Sequence, residues 1–156
     1  YNDLKKMALK TTKKPSVLTE IKYGDAWYIP AGKSFIAHLI EDAGGDYFWK
    51  EDTKTGSSAQ SFETVYTKAK DCDIWINLYN LNTKKELLSY DERYGLFKAC
   101  KNNQLYNNNK TQNTLGYSNY WETGITHPED VLGDLIAIFS PTLMVNHSFV
   151  YYKKLE

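Results

Sequence analysis

Cysteine is scarce in this chain. Cys72 and Cys100 are the only two, and neither sits in a CxxC pair or at a Cys/His ligand spacing, so a thiolate metal site or a dithiol redox centre has no support. Both read as buried thiols. The histidines His38, His127 and His147 are scattered, with no pair at metal-ligand spacing, so no directly bound metal is expected. A glycine-rich phosphate loop and a serine nucleophile elbow are also missing. Asp71-Cys72-Asp73 and Asp91-Glu92-Arg93 read as solvated helix ends rather than catalytic carboxylates. Enzyme chemistry and a cofactor therefore have no sequence signal. Nor is there an excess of charge: 19 Lys+Arg against 19 Asp+Glu gives a net charge of zero, which disfavours nucleic acid or an anionic membrane surface as partner. No run of about 18 apolar residues would cross a bilayer as a helix, and no signal-peptide pattern opens the chain.

What the chain does have is aromatic residues, 15% of the total, including 13 Tyr and 4 Trp. Many fall in segments that otherwise read as loops. Such rings offer contact area at low entropic cost, and Tyr and Trp add a hydrogen-bonding tip. The 156 residues fit one domain with a substantial core.

Patterning alternates strands with helices. The opening YNDLKKMALK reads as the last turns of a helix with no N-cap before it, as expected of a piece of a longer protein, and Lys13-Lys14-Pro15 ends it. Val17 to Tyr23 is the first expected strand, and Tyr23 to Gly32 an aromatic loop closing on Pro30-Ala31-Gly32. Phe35, Ile36, Leu39, Ile40 and Ala43 fall at helical spacing, with Gly44-Gly45 as the stop. Asp46 to Trp49 suits a brief second strand, and polar Lys50 to Gln60 a loop. Ser61 can cap a helix through Phe62, Val65, Tyr66 and Ala69. Asp73 to Leu78 reads as a buried central strand, and Thr83 to Leu88 as a short helix. A helical pattern continues over Tyr94, Leu96, Phe97 and Ala99, and Leu105-Tyr106 is a short strand. Asn107 to Trp121 has no period and reads as a long loop, a length that usually has a job. Pro128, with Glu129 and Asp130, opens a final helix through Val131, Leu132, Leu135, Ile136 and Phe139. Phe149 to Tyr152 is expected as a closing edge strand. The fold class is α/β, a Rossmann-like three-layer lobe with a mostly parallel central sheet.

The order of the segments KPSVLTEIKYG, WYIPAGKSFIAHLIEDAGGDYFW, SFETVYTKAKDCDIWI and YWETGITHPEDVLGDLIAIFSPTL, closing on YYKKL, resembles the carboxy-terminal lobe of class III periplasmic binding proteins. These are the substrate-binding components of ABC importers for cobalamin, haem and ferric siderophores. HPEDVLGDLIAIFSP resembles the form found in Bacteroidetes-type members. The resemblance covers nearly the whole chain and implies that residues 1–14 end the helix joining two lobes and that residues 15–156 form the carboxy-terminal lobe. It further implies an iron-chelate, haem or corrinoid ligand, a permease partner in the inner membrane, a periplasmic and lipid-anchored full-length protein, and a monomer. In the family, a glutamate at the helix start pairs with a permease arginine. The matching position is Glu63, whose simpler role would be to favour the first helical turn through the macrodipole.

In open α/β sheets ligands bind outside the carboxyl ends of the strands. Trp27 and Tyr28 follow the first expected strand, Tyr79 and Asn80 the third, and Tyr117, Tyr120 and Trp121 lie in or near the long loop. These seven are the candidate ligand-binding residues, against the alternative that each is only a partly buried packing residue. Two other readings remain: a metal-dependent enzyme on a Rossmann-like sheet, and a haem or siderophore scavenger that works without an importer.

Overall fold

Two sheets divide the strands in a computed structural model that describes residues 1–156. In chain order the elements are α1 (Asn2–Ala8), β1 (Ser16–Thr19), β2 (Lys22–Tyr23), β3 (Ala26–Pro30), α2 (Phe35–Asp42), β4 (Asp46–Tyr47), β5 (Ser57–Gln60), α3 (Phe62–Ala69) and β6 (Ile74–Ile76). There follow α4 (Lys84–Tyr90), a 3-10 turn (Glu92–Leu96), α5 (Lys98–Lys101), β7 (Leu105–Asn107), a second 3-10 turn (Asn119–Trp121), α6 (Thr123–Thr126), α7 (Pro128–Phe139) and β8 (Lys153–Lys154). The main sheet has five strands in the order β4-β1-β6-β7-β8. Its first four are parallel, and only β8 is antiparallel to its neighbour. This is the mostly parallel α/β sheet expected from the strand-helix alternation. β1 and β6 sit at its centre and bury Val17, Leu18, Trp75 and Ile76 completely. Strands covered on both faces read as continuous apolar runs for that reason.

Side-chain caps set the helix starts. Ser34 accepts from the Ala37 amide and Ser61 from the Thr64 amide. Thr83 and Glu86 form a reciprocal capping box at α4, which satisfies two otherwise unpaired amides. Gly44 stops α2 at φ 82°, a left-handed conformation that a side chain would strain. In α7 the whole run from Val131 to Phe139 is buried, and the helix packs against α1 and α2.

The expected loop from Tyr23 to Gly32 is instead the hairpin of a second, antiparallel sheet ordered β2-β3-β5. In β3, Trp27 and Ile29 point inward and Tyr28 outward, the two-residue period of a half-buried strand. The expected polar loop from Lys50 to Gln60 holds the partner strand β5, which pairs Trp27 with Gln60 and Ile29 with Ser58. The expected first strand, Val17 to Tyr23, is broken at Glu20, whose φ of 65° divides β1 from β2. Around Tyr94 the chain makes a 3-10 turn, then extends at Phe97 before α5.

The closing strand lies at Lys153–Lys154 rather than Phe149 to Tyr152. The reason is Asp134, a fully buried carboxylate on α7. It accepts the amides of Val150 at 3.0 Å, Tyr151 at 2.7 Å and Tyr152 at 3.0 Å, and contacts His147 Nε2 at 2.6 Å. Those amides serve the carboxylate and are not free for a ladder.

Candidate functional site

At the carboxyl ends of β1 and β6 the chain leaves the sheet through left-handed residues, Glu20 at φ 65°, Asn77 at 61° and Tyr79 at 55°. Non-glycine residues in this region carry local strain and concentrate at functional sites. Asn107, at the end of β7, holds the neighbouring turn. Its Oδ1 accepts the Leu78 amide at 2.8 Å, and its Nδ2 donates to the carbonyls of Tyr79 at 2.9 Å and Leu81 at 2.8 Å. The turn is thereby fixed with the Tyr79 ring 60% exposed. Behind it, the Tyr152 hydroxyl donates to Asn77 Oδ1 at 2.8 Å, linking the Asp134 staple to the floor of the cleft.

The long loop folds back on itself. Asn113 Oδ1 accepts the amides of Leu115 and Tyr117, Gln112 bridges to Ser118, and the Ser118 hydroxyl donates to the Asn108 carbonyl. The loop presents Tyr117 and Trp121 to solvent, Trp121 being 58% exposed. Tyr120 is buried beneath, its ring edge-on to Trp121 with centroids 4.9 Å apart.

Three adjoining cavities lie on this surface. The first, of 330 Å³, is lined by Glu20, Tyr28, Phe35, Asn77, Tyr120 and Trp121 among others. The second, of 490 Å³, includes Tyr79, Asn80, Asn109, Tyr117 and Trp121. A smaller one of 170 Å³ includes Glu20, Tyr23, Tyr28, Tyr79 and Tyr90. Trp121 joins the first two, and Glu20 and Tyr28 join the first and third. Together they form an open trough with aromatic walls and polar amide groups, the general character of a small-molecule site. Six of the seven candidates, Tyr28, Tyr79, Asn80, Tyr117, Tyr120 and Trp121, thus line one surface.

Trp27 does not. It is 0% exposed, stacked on Trp75 at 5.7 Å, and its Nε1 donates to the Thr19 carbonyl at 3.1 Å. Its ring belongs to the core with Phe62, Tyr94 and Phe97, because the two-residue period of β3 turns Trp27 inward and Tyr28 outward. Residue patterning passed over Glu20, Phe35 and Asn77. Phe35 belongs to the expected apolar stripe of α2, but at the first residue of the helix it is 46% exposed and turns to the trough, while Ile36, Leu39 and Ile40 stay buried.

Glu20 carries the main electrostatic feature of the trough. Burial raises its carboxyl from 4.5 to about 7, against the opposing hydrogen bond of Asn77. At the far end of β6, Cys72 is pushed up to about 12 by burial, and both cysteines are free and buried.

Glu63 lies elsewhere, in the first turn of α3, with its side chain 76% exposed. Arg93 Nη1 sits 3.6 Å away, while Nη2 of the same guanidinium holds Asp91 at 2.8 Å. The Arg93 hydrogen bonds keep Asp91 below the usual carboxylate range, with help from Lys22. His127, Glu129 and Asp130 gather at the start of α7, all exposed. Acidic charge there is what the helix dipole favours.

No protein-family model matches the chain. The fold is nonetheless found in solved structures. The TroA-like periplasmic binding protein FepB from Veillonella parvula superposes with a TM-score of 0.67 at 19% identity, over 99% of this chain and 53% of that one. IsdE from S. aureus, solved with heme, gives a TM-score of 0.64 at 21% identity, over 89% and 52%. This chain has the fold of a TroA-like binding-protein lobe. In sequence it is 30% identical over 142 residues to an uncharacterized lipoprotein, MJ0878, of Methanocaldococcus jannaschii, covering 87% of this chain and 32% of that protein. The chain spans about a third of that relative and about half of the matched structures. No helix is long and apolar enough to cross a membrane.

Proposed function

We propose that this chain is the carboxy-terminal lobe of the substrate-binding component of an ABC importer, without catalytic activity of its own. The aromatic trough at the carboxyl ends of β1, β6 and β7 is the observation that carries the reading. It stands where open α/β sheets receive ligands, and its exposed Tyr28, Tyr79, Tyr117 and Trp121 suit a flat, partly apolar molecule of the haem, corrinoid or ferric-siderophore kind. In this reading residues 1–14, including α1, end the helix that joins two lobes, and a second lobe closes over the trough. Glu63, exposed at the start of α3, docks on a permease arginine, a contact that sets orientation and encounter rate. The full-length protein works outside the inner membrane as a lipid-anchored monomer. The word lipoprotein in the relative's name supports the anchor.

Isothermal titration of the full-length protein against cobalamin, cobinamide, haem and several ferric siderophores tests this. One tight partner, weakened by Tyr79→Ala, is the expected outcome. A folded protein that binds none of them would remove the importer reading.

A further inference from the structure

Glu20 stands on the floor of the trough without an ion-pair partner in the chain. It lines both the 330 Å³ and the 170 Å³ cavities. Its place is fixed by the backbone, since its amide donates to the Ile76 carbonyl at 3.1 Å and its carbonyl accepts Trp75 Nε1 at 2.8 Å. The groups around it are Asn77 after β6, Lys22 and Tyr23 of β2, Tyr28 of β3, Tyr79 before α4, Tyr90 at the last residue of α4, and Tyr120 of the second 3-10 turn. The phenols of Tyr47 and Tyr152 feel its charge from behind. None of the ion pairs in the structure includes Glu20.

Lys22 is the one cation among the residues lining the three cavities, and it is already bound to Asp91 at 2.8 Å. A second acid, Glu122, lines the 490 Å³ cavity, where its carboxylate accepts only the neutral Nδ2 of Asn113 at 2.7 Å. Two carboxylates thus face the trough, and its single lysine is neutralised.

We propose, resting on the assignment of this trough as the ligand site, that Glu20 receives an N–H donor of the ligand, an ammonium or an amide, and that this wall disfavours polyanionic chelates. Filling the trough strips water from the carboxylate. That cost is met when the ligand supplies a charge-assisted hydrogen bond, whereas an anionic ligand adds like-charge repulsion to it. Partial burial already raises the Glu20 carboxyl to about 7, so a ligand donor that favours the charged form acts where water has begun to be displaced.

The test is isothermal titration at pH 8 on the full-length protein and on Glu20→Gln and Glu20→Leu, with thermal melts to confirm folding. The probes are a cationic ferric trihydroxamate, the amide-bearing corrinoid cobinamide and a trianionic ferric tricatecholate. The wild type is expected to bind a cationic or amide-bearing probe more tightly than the tricatecholate. An ammonium donor loses on the order of tenfold or more in both variants. An amide donor loses this in Glu20→Leu and keeps most of its affinity in Glu20→Gln, whose carbonyl still accepts. If the tricatecholate binds wild type most tightly, or both variants bind as wild type does, the role of Glu20 is overturned while the trough stands. If no probe binds the folded wild type, the trough assignment falls, and this proposal with it.

Discussion

Removing the Asp134 carboxylate should be among the most damaging single changes in this fold. Asp134→Ala leaves the amides of Val150, Tyr151 and Tyr152 without the acceptor that each now has within 3.1 Å or less. A buried backbone donor left unpaired costs about 1–3 kcal/mol. If water reaches one of the three, the remaining two leave a loss of about 2–6 kcal/mol. For a domain of this size, 1 kcal/mol shifts the melting temperature by roughly 2–4 °C, so a drop of about 4–24 °C is expected. Asp134→Asn should recover little of this, because its amide nitrogen would face donors. Calorimetric melts of the isolated chain and both variants measure the effect. The damage should also reach the trough, since Tyr152 positions Asn77 through its hydroxyl. A loss below about 1 kcal/mol, smaller than a single unpaired amide costs, would refute the assignment of Asp134 as the staple of the closing segment.

Other changes separate the roles of individual residues. The folded Glu20 carboxyl lies above its ordinary value, from 4.5 to about 7, so the fold favours the protonated form and wild type loses stability as pH rises through that window. Glu20→Gln lacks this slope; urea titrations should find it about 3 kcal/mol more stable than wild type at pH 8 and equal to it near pH 4. Trp27→Ala should cost about 3–5 kcal/mol of stability, measured by denaturant unfolding, and a mild loss would contradict the stacked core position. Glu63→Ala should leave both the melting temperature and ligand affinity unchanged while slowing importer-dependent uptake in reconstituted vesicles. Unchanged uptake would remove Glu63 from the docking surface.

The parallel sheet and the larger helices were legible because burial leaves a period in the sequence. Ile36, Leu39 and Ile40 repeat along α2, and the apolar run around Trp75 marks a central strand. The smaller sheet was hidden because β5, Ser57–Gln60, is polar and is held by backbone pairing to β3. Trp27 and Tyr28 show how one residue of register decides a role: both follow a strand and both are aromatic, yet only Tyr28 reaches the trough. Glu20 left no periodic signal, since its environment is made by Asn77 and Tyr120, distant in sequence. Asp134 was concealed in an otherwise apolar helix, and its partners lie 13 or more positions away.

A ligand seated on the aromatic wall must touch Trp121, which joins the two larger cavities. The decisive measurement is therefore calorimetric titration of the tightest-binding chelate or corrinoid into full-length wild type, Trp121→Ala and, as a control at the opposite end of the strands, Lys13→Ala. Trp121→Ala should weaken binding by about tenfold or more, as the loss of a buried aromatic anchor does, with Lys13→Ala unchanged. Wild-type affinity in Trp121→Ala, together with a loss in Lys13→Ala, would place the ligand at the other end of the sheet and contradict the site proposed here.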